Sequence, residues 1–333
     1  MEIGKRMIYE KAIFELTNSE IDLCNNLLIA SPDRHIFNDI RLHLRIQDYY
    51  KNTVEGNVLF FSSNGNITAY IIIYHIIGKK PIYYFSPYQK SLITYGGIVC
   101  SEGRSQQKIY LKELKKFLRR RAIYIKSIPG IDIGVYRELG FKINEKQTLY
   151  INTQKSEKEL WGGIKNRIKW NIKKGYQSNI RVNVIIPKVI EDVEPLYEIY
   201  SELCARTGLY LHSKSYYFSI LDNNNFEHSL IFYAYKEEQV VSAMAVLQFD
   251  GMIISWFGGT FMKYRYTNAS SIIYWEIIQY ACCHNLKCFD LLGLDIQNIA
   301  FFKKGFGGYE VPVYHITYKS LSFKVFNVIR KLI

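Results

Sequence analysis

The sequence predicts an α/β chain of the mixed α+β kind, built as two similar domains sharing one cleft. Three observations carry that expectation. First, one order of elements runs twice. An apolar run at Val58–Ser62, then Tyr70–Ile77, Ile82–Pro87, Tyr95-Gly96-Gly97, a basic amphipathic stretch from Gln106 to Arg121 and Leu139-Gly140-Phe141-Lys142 form the first copy. Leu230–Tyr235, Val240–Phe249, Met252–Gly259, an amphipathic stretch from Ser270 to His284, Cys288–Gly293 and Phe306-Gly307-Gly308-Tyr309 form the second. A fixed order of strand, strand, strand, helix, strand repeated along a chain outweighs any single motif. Second, Asn64-Gly65 and Asp250-Gly251 stand between apolar runs, and both dipeptides tolerate the positive φ of a tight hairpin. Third, 333 residues with 48% hydrophobic and 22% charged content suffice for two cores and exclude a disordered profile. The repeat places the boundary near Thr153, giving domains 1–152 and 153–333.

The remaining elements follow in chain order. Ser31-Pro32-Asp33 reads as a helix start, with Ile36, Ile40, Leu44 and Tyr49 at near-helical spacing and an end near Lys51. Glu157 to Gly175 reads as one helix, with Leu160, Trp161, Ile164, Ile168 and Ile172 on one stripe and Gly175 as its stop. Val193–Arg206 and Ser215–Leu221 also read as helical. Ser320–Leu332 mixes apolar residues with Lys324, Arg330 and Lys331, so residues 317–333 either pack back on the first domain or touch a membrane surface.

No apolar run approaches the roughly 20 residues that span a bilayer, and Met1–Glu10 carries charges where a signal peptide needs an apolar stretch. A cytoplasmic location is the expectation, with contact at the inner face of the membrane left open. Six cysteines do not make a secreted disulfide scaffold. Cys282-Cys283-His284 and Cys288 lack zinc-ligand spacing, so buried thiols are expected and no metal.

The net charge of +13 favours phosphate-bearing partners. It is uneven: no acidic residue lies between Glu159 and Glu191, while Lys165, Arg167, Lys169, Lys173, Lys174, Arg181 and Lys188 all do. That island needs an anion or open water. Arg265-Tyr266-Thr267-Asn268-Ala269-Ser270 precedes a helix, where free N–H groups form a natural phosphate site. Acyl-CoA enzymes of the GNAT superfamily place an Arg-x-x-Gly-x-Gly/Ala loop at this point in the element order. Here the glycines are missing, which hinders close approach to a diphosphate. Capping of the helix by Ser270 is the simpler reading, and Arg265 and Ser270 are cofactor-binding candidates only if an acyl-CoA is the donor.

Phe289-Asp290-Leu291-Leu292-Gly293 followed by Phe301-Phe302-Lys303-Lys304-Gly305-Phe306-Gly307-Gly308 resembles the Asp-x-x-Gly and Phe-Lys-x-x-Phe-Gly signature of FemABX-type aminoacyltransferases and their BioF-like acyltransferase relatives. Leu160-Trp161 through Arg167 to Lys174-Gly175, Tyr95-Gly96-Gly97 and Leu139-Gly140-Phe141 resemble further segments of that family, so the likeness runs from about Ser31 to Tyr314. The resemblance implies two tandem GNAT-like domains and transfer of an activated acyl group to an amine. In that family the donor is an aminoacyl-tRNA and the acceptor a muropeptide precursor carrying a diphosphate, as in building peptidoglycan interpeptide bridges. Both are polyanions, which the cationic excess would suit through contacts that set position more than sequence. This chain has no long paired-helix insertion after Gly175, unlike one branch of the family.

Lys303 is the first catalytic candidate, since its ammonium could stabilise an oxyanion or hold a phosphate, and Lys304 is its neighbour and competitor. Asp290 is a candidate base or a positioner of Lys303; an Asp at a strand end also commonly caps a loop. Arg167, with Lys173 beside it, is a candidate for gripping a diphosphate through its planar fork. Tyr95 either lines an acceptor groove or packs in a core. An aminoacyl ester is already activated, so positioning can carry much of the acceleration without a strong base. Two other classes stay open: an enzyme using acyl-CoA to acylate an amino sugar, and a non-enzymatic basic protein binding RNA or a membrane surface. DNA is not an expected partner, and no bound cofactor is expected beyond the donor itself.

Overall fold

The computed structural model describes residues 6–78, 82–102, 104–224, 226 and 228–324. The chain divides into two compact units, Met1–Lys146 with Pro312–Ile333, and Gln147–Val311.

The first unit contains β1 (Arg6–Ala12), α1 (Asn18–Ala30), α2 (Ile40–Tyr50), β2 (Val54–Ser63), β3 (Asn66–Ile76), β4 (Tyr83–Ser86), β5 (Ile98–Cys100), α3 (Arg104–Phe117), β6 (Ala122–Lys126), α4 (Gly134–Glu138) and the start of β7 (Lys142–Asn152). β1, β2 and β3 pair antiparallel in sequence, and β4 pairs parallel with β6. The β2–β3 turn is the expected one, with φ of 52° at Asn64 and 82° at Gly65. α1 has no counterpart in the sequence reading. A capping box between Thr17 and Glu20 starts it, a feature contributing about 1 kcal/mol, and Ser31 ends it rather than starting the next helix. α2 accordingly begins later than Ser31-Pro32-Asp33 suggests. Its N-cap is Asp39, whose side chain accepts from Arg41 N. Its buried face is not the expected apolar stripe. It includes His43, held between Tyr74 Oη at 2.6 Å and Phe37 O at 2.8 Å, and Gln47, which donates to Val54 O and accepts from Gly56 N. Polar side chains can face a core when each is satisfied.

The second unit continues through the rest of β7, α5 (Glu157–Gly163), α6 (Asn166–Gln177), β8 (Ile180–Ile185), α7 (Glu194–Thr207), α8 (Lys214–Leu221), β9 (Ser229–Lys236), β10 (Gln239–Phe249), β11 (Met252–Thr260), α9 (Ala269–Cys283), β12 (Cys288–Gly293), α10 (Gln297–Lys303) and the first three residues of β13 (Tyr309–Lys319), whose remainder belongs to the first unit. β8 to β11 pair antiparallel in order, with φ of 49° at Asp250 and 76° at Gly251 in the second expected hairpin. β11 then pairs parallel with β12, as β4 does with β6. The repeated order of elements is therefore real in three dimensions. The last strands break the simple reading of the repeat. Residues 148–152 of β7 pair with β12 in the second unit, and residues 315–319 of β13 pair with β6 in the first. Of the expected helix at Ser320–Leu332, the stretch to Lys324 is described and the rest lies outside the described residues.

The expected single helix from Glu157 to Gly175 is two. Gly162-Gly163 weaken the chain at the break, Ile164 and Lys165 are extended, and α6 restarts at Asn166. Gly175 is not its stop, since the helix runs on to Gln177. A Cβ at Gly175 would lie 2.5 Å from Ile272 Cδ1 and 3.0 Å from Thr267 O, so the glycine lets α6 lie close against α9.

Candidate functional site

The motifs that lie far apart in sequence meet inside the second unit. A Cβ at Gly305 would stand 2.5 Å from Ile168 Cγ1, Lys165 N donates to Gly305 O at 2.9 Å, and the Arg167 guanidinium lies 4.3 Å from the Phe301 ring centroid. Tyr274 of α9 packs against Phe302 and Phe306 with ring centroids 5.3 Å apart in each case. The turn after α10 is thereby pinned between α6 and α9, which fixes the last residue of α10, Lys303.

Lys303 is 8% exposed. Its Nζ donates to Gly293 O at 3.0 Å and to Leu292 O at 3.3 Å, the carbonyls that end β12. Burial lowers its pKa to about 8, against the opposing pull of Asp290 and Asp295. Leu292 has φ of 59°, so β12 turns sharply where the lysine meets it. Asp290 shapes that turn: fully buried, it accepts from Leu292 N at 2.8 Å and from Thr148 Oγ1 at 2.6 Å. It thus has the loop-capping role and acts on Lys303 as a nearby charge. Sequence reasoning misses Thr148, because it lies on β7 and only the strand pairing shows that it reaches β12.

The parallel pair parts at this point. β11 and β12 are in register at Met252–Cys288, Ile253–Phe289 and Ile254–Asp290, and β11 then continues beside β10 to Thr260. Asp290 is the last paired residue of β12 against β11, so the buried charges sit where the strands diverge.

The other candidates scatter. Lys304 forms an ion pair with Glu310 at 2.5 Å, which neutralises it and weakens it as a competitor of Lys303. Arg167 is exposed and stacked on Phe301, and Lys173 is exposed on α6, where Lys174 lies 4.7 Å from the Trp170 ring centroid. Among the described residues no carboxylate forms an ion pair with Lys165, Arg167, Lys169, Lys173 or Lys174, whereas Arg181 meets Glu238 at 3.6 Å. Tyr95 is in the core of the first unit, 1% exposed, edge-on to His35 and Phe37, so its ring does not line an open groove.

Ser270 does not cap α9. The N-cap position is Asn268 at φ 57°, without a side-chain cap bond, and Ser270 lies inside the first turn, sharing a hydrogen bond with Thr260 at 2.6 Å. Thr267 Oγ1 accepts from Ala269 N at 3.3 Å and donates to Tyr264 O, using one of the N–H groups that a phosphate would need. Arg265 is exposed, with its Nη1 3.8 Å from Met262 Sδ. The thiols also depart from expectation: Cys283 is exposed at the last turn of α9 and Cys282 is only half-buried, while His284 stacks on Tyr280. Among the described residues no group of three or more His, Cys, Asp or Glu is placed to hold a metal, and no helix is long and apolar enough to cross a membrane.

Residues 164–304 match the model of the acetyltransferase (GNAT) domain, a span from the break before α6 to just past the end of α10. Among curated proteins, none matches the sequence. The structure is similar to that of FemX, with a TM-score of 0.67 and 12% identity over 98% of this chain and 99% of that one. It is also similar to the C-terminal domain of a putative lysylphosphatidylglycerol synthetase from Agrobacterium fabrum, with a TM-score of 0.62 and 12% identity over 94% of this chain and 95% of that one. A tandem GNAT protein from the clavulanic acid biosynthesis pathway gives a TM-score of 0.53 and 10% identity over 94% and 98% of the two chains. The chain has a tandem GNAT-like fold, the architecture that its repeated element order predicts, and the stretch that matches the acetyltransferase (GNAT) domain model lies in its second unit.

Proposed function

We propose that the protein is an acyltransferase that moves an aminoacyl group from an aminoacyl-tRNA to an amine of a diphosphate-linked cell-envelope precursor. The observation that carries this reading is Lys303: a buried amine with pKa lowered to about 8, fixed at the parting of β11 and β12 inside the GNAT domain. In the reaction the acceptor nitrogen attacks the ester carbonyl carbon, a C–N bond forms, and the C–O bond to the ribose breaks. The nitrogen's proton leaves with the ribose hydroxyl. An ammonium at Lys303 would stabilise the charge that develops on the carbonyl oxygen, and its lowered pKa suits it to pass a proton to the departing oxygen. The cationic face of α6, with Arg167 and Lys173, would hold the phosphates of a polyanionic substrate. A peripheral contact at the inner membrane face belongs to the proposal only where the acceptor's diphosphate is itself anchored at that face.

The acyl-CoA reading is the alternative, with Arg265 and Ser270 as its phosphate contacts. The α9 N-terminus argues against it, because Thr267 occupies one N–H and Ser270 is engaged with Thr260. Transfer assays with the two donor types, each with wild type and Lys303→Ala, test the proposal. Transfer from aminoacyl-tRNA that is lost in the variant supports it; transfer from acetyl-CoA alone overturns it.

A further inference from the structure

Single exposed apolar side chains are ordinary on a protein surface, but four large ones gathered on two neighbouring connections are not. In the second unit Leu209 and Tyr210, which follow α7, and Met262 and Tyr266, in the short helical segment Met262–Thr267 between β11 and α9, are each between 46% and 60% exposed. Gly208, at φ 71°, ends α7, so the two large apolar residues come directly after the helix stop. The two connections touch. Arg206 Nη1 lies 3.5 Å from Met262 Sδ, and Met262 N donates to Glu202 Oε1 at 2.7 Å, both partners belonging to α7.

The same surface carries Arg206, Lys236, Lys263 and Arg265. Lys236 Nζ donates to Tyr266 Oη at 3.0 Å and lies 5.2 Å from that ring's centroid, Lys263 Nζ lies 5.0 Å from the Tyr264 centroid, and Arg265 Nη1 is 3.8 Å from Met262 Sδ. Among the described residues none of these four cations forms an ion pair with a carboxylate. Of the carboxylates at its border, Glu202 accepts from Met262 N, Glu238 meets Arg181, and Glu237 follows Lys236 in the chain. A basic, aromatic surface suits two kinds of polyanion, a nucleic acid and an anionic bilayer. A nucleic acid would stack its bases on the tyrosines and find no π-face on Leu209 or Met262. A bilayer uses every member: aliphatic side chains enter the boundary between headgroups and acyl chains, tyrosines sit at the interface, and cations meet anionic headgroups.

We propose that this surface docks the protein on an anionic membrane, with Leu209 and Met262 inserted and Arg206, Lys236, Lys263 and Arg265 on the lipid headgroups. The inference goes beyond the acyl-transfer reading and does not need it, since neither Lys303 nor α6 takes part. The test is co-sedimentation of the full chain with vesicles of phosphatidylcholine, with and without phosphatidylserine, at low and high salt and without any donor or acceptor. The expected result is binding to the anionic vesicles that neutral vesicles do not reproduce and that salt weakens. Lys263→Ala should weaken it about fivefold, as for loss of one basic contact near an anionic surface. Leu209→Asn combined with Met262→Gln keeps every charge and should weaken it at least as much, because insertion of apolar area is lost. These exposed side chains can be replaced without unfolding the chain, which circular dichroism checks. Absence of binding to the anionic vesicles overturns the proposal. So does full binding by the Leu209→Asn, Met262→Gln variant, or a loss in Lys142→Ala, a first-unit variant, equal to that in Lys263→Ala, since either would reduce the effect to net charge. Single-stranded RNA that displaces the protein from the vesicles, and whose own binding falls as much in the Leu209→Asn, Met262→Gln variant, would assign the surface to nucleic acid and overturn it as well.

Discussion

The two copies of the repeat treat their parallel strand pair differently. In the first unit β4 is four residues long and all of it pairs with β6, from Tyr83–Ala122 to Ser86–Ile125. Beyond it the chain is sealed by hydrogen bonds: Gly96 N donates to Lys126 O, Gly97 N to Ser86 Oγ, and a Cβ at Gly96 would lie 2.8 Å from Ser86 C. In the second unit β11 is nine residues long, only its first three pair with β12, and a buried lysine and aspartate occupy the divergence. One element order thus supports a closed copy and an open one.

Several substitutions would break or sharpen that contrast. The largest expected effect is on turnover: Lys303→Ala should lower kcat/KM about 100-fold or more with the fold intact, as loss of a well-placed oxyanion donor does. Unchanged turnover in steady-state assays would remove Lys303 from the mechanism. Lys303 also makes the open copy sensitive to pH. Its folded-state pKa is lowered to about 8, below its ordinary 10.5, so between these values the unfolded chain binds more protons. Stability should rise as pH increases through that window, on the order of 2 kcal/mol relative to Lys303→Met, and the burial cost should be fully present below the folded-state pKa. Urea titrations at several pH values would read this, and equal slopes in wild type and variant would contradict it.

Gly258→Ala should cost about 3 kcal/mol, because its Cβ would stand 2.1 Å from Ala243 O across the β10–β11 pair. Thr148→Val should cost about 2 kcal/mol by depriving the buried Asp290 of a donor, measured by thermal unfolding. The smallest effect belongs to Arg167→Ala. Its exposed side chain should change stability by less than about 0.5 kcal/mol while raising the apparent acceptor KM several-fold, and a fall in kcat at constant KM would contradict phosphate binding.

Much of this contrast is readable from the sequence. Asn64-Gly65 and Asp250-Gly251 announce two hairpins, and the run of elements around each announces the repeat. Lys303 and Asp290 stand out through the signature around them. What the sequence hides is non-local. β7 and β13 look alike as alternating strands, and nothing in their pattern says which strand each will end beside. Hence Thr148 cannot be connected with Asp290 before the pairing is known. Gly175 reads as a helix stop, because its close approach to Ile272 depends on α9, far along the chain. Ser270 reads as a cap, because the αL turn at Asn268 moves the helix start ahead of it. Tyr95 shares a motif with two glycines, but its ring packs in the core of the first unit against His35 and Phe37.

The central claim is that the open copy transfers an aminoacyl group and relies on Lys303. The most direct measurement is binding of a charged acceptor-stem mimic of aminoacyl-tRNA and of acetyl-CoA, across several salt concentrations, to wild type and Lys303→Ala. The account predicts saturable, acyl-dependent binding of the stem that the substitution weakens, with acetyl-CoA ignored. Tight acetyl-CoA binding, with stem affinity that depends only on salt and not on the acyl group, would contradict it.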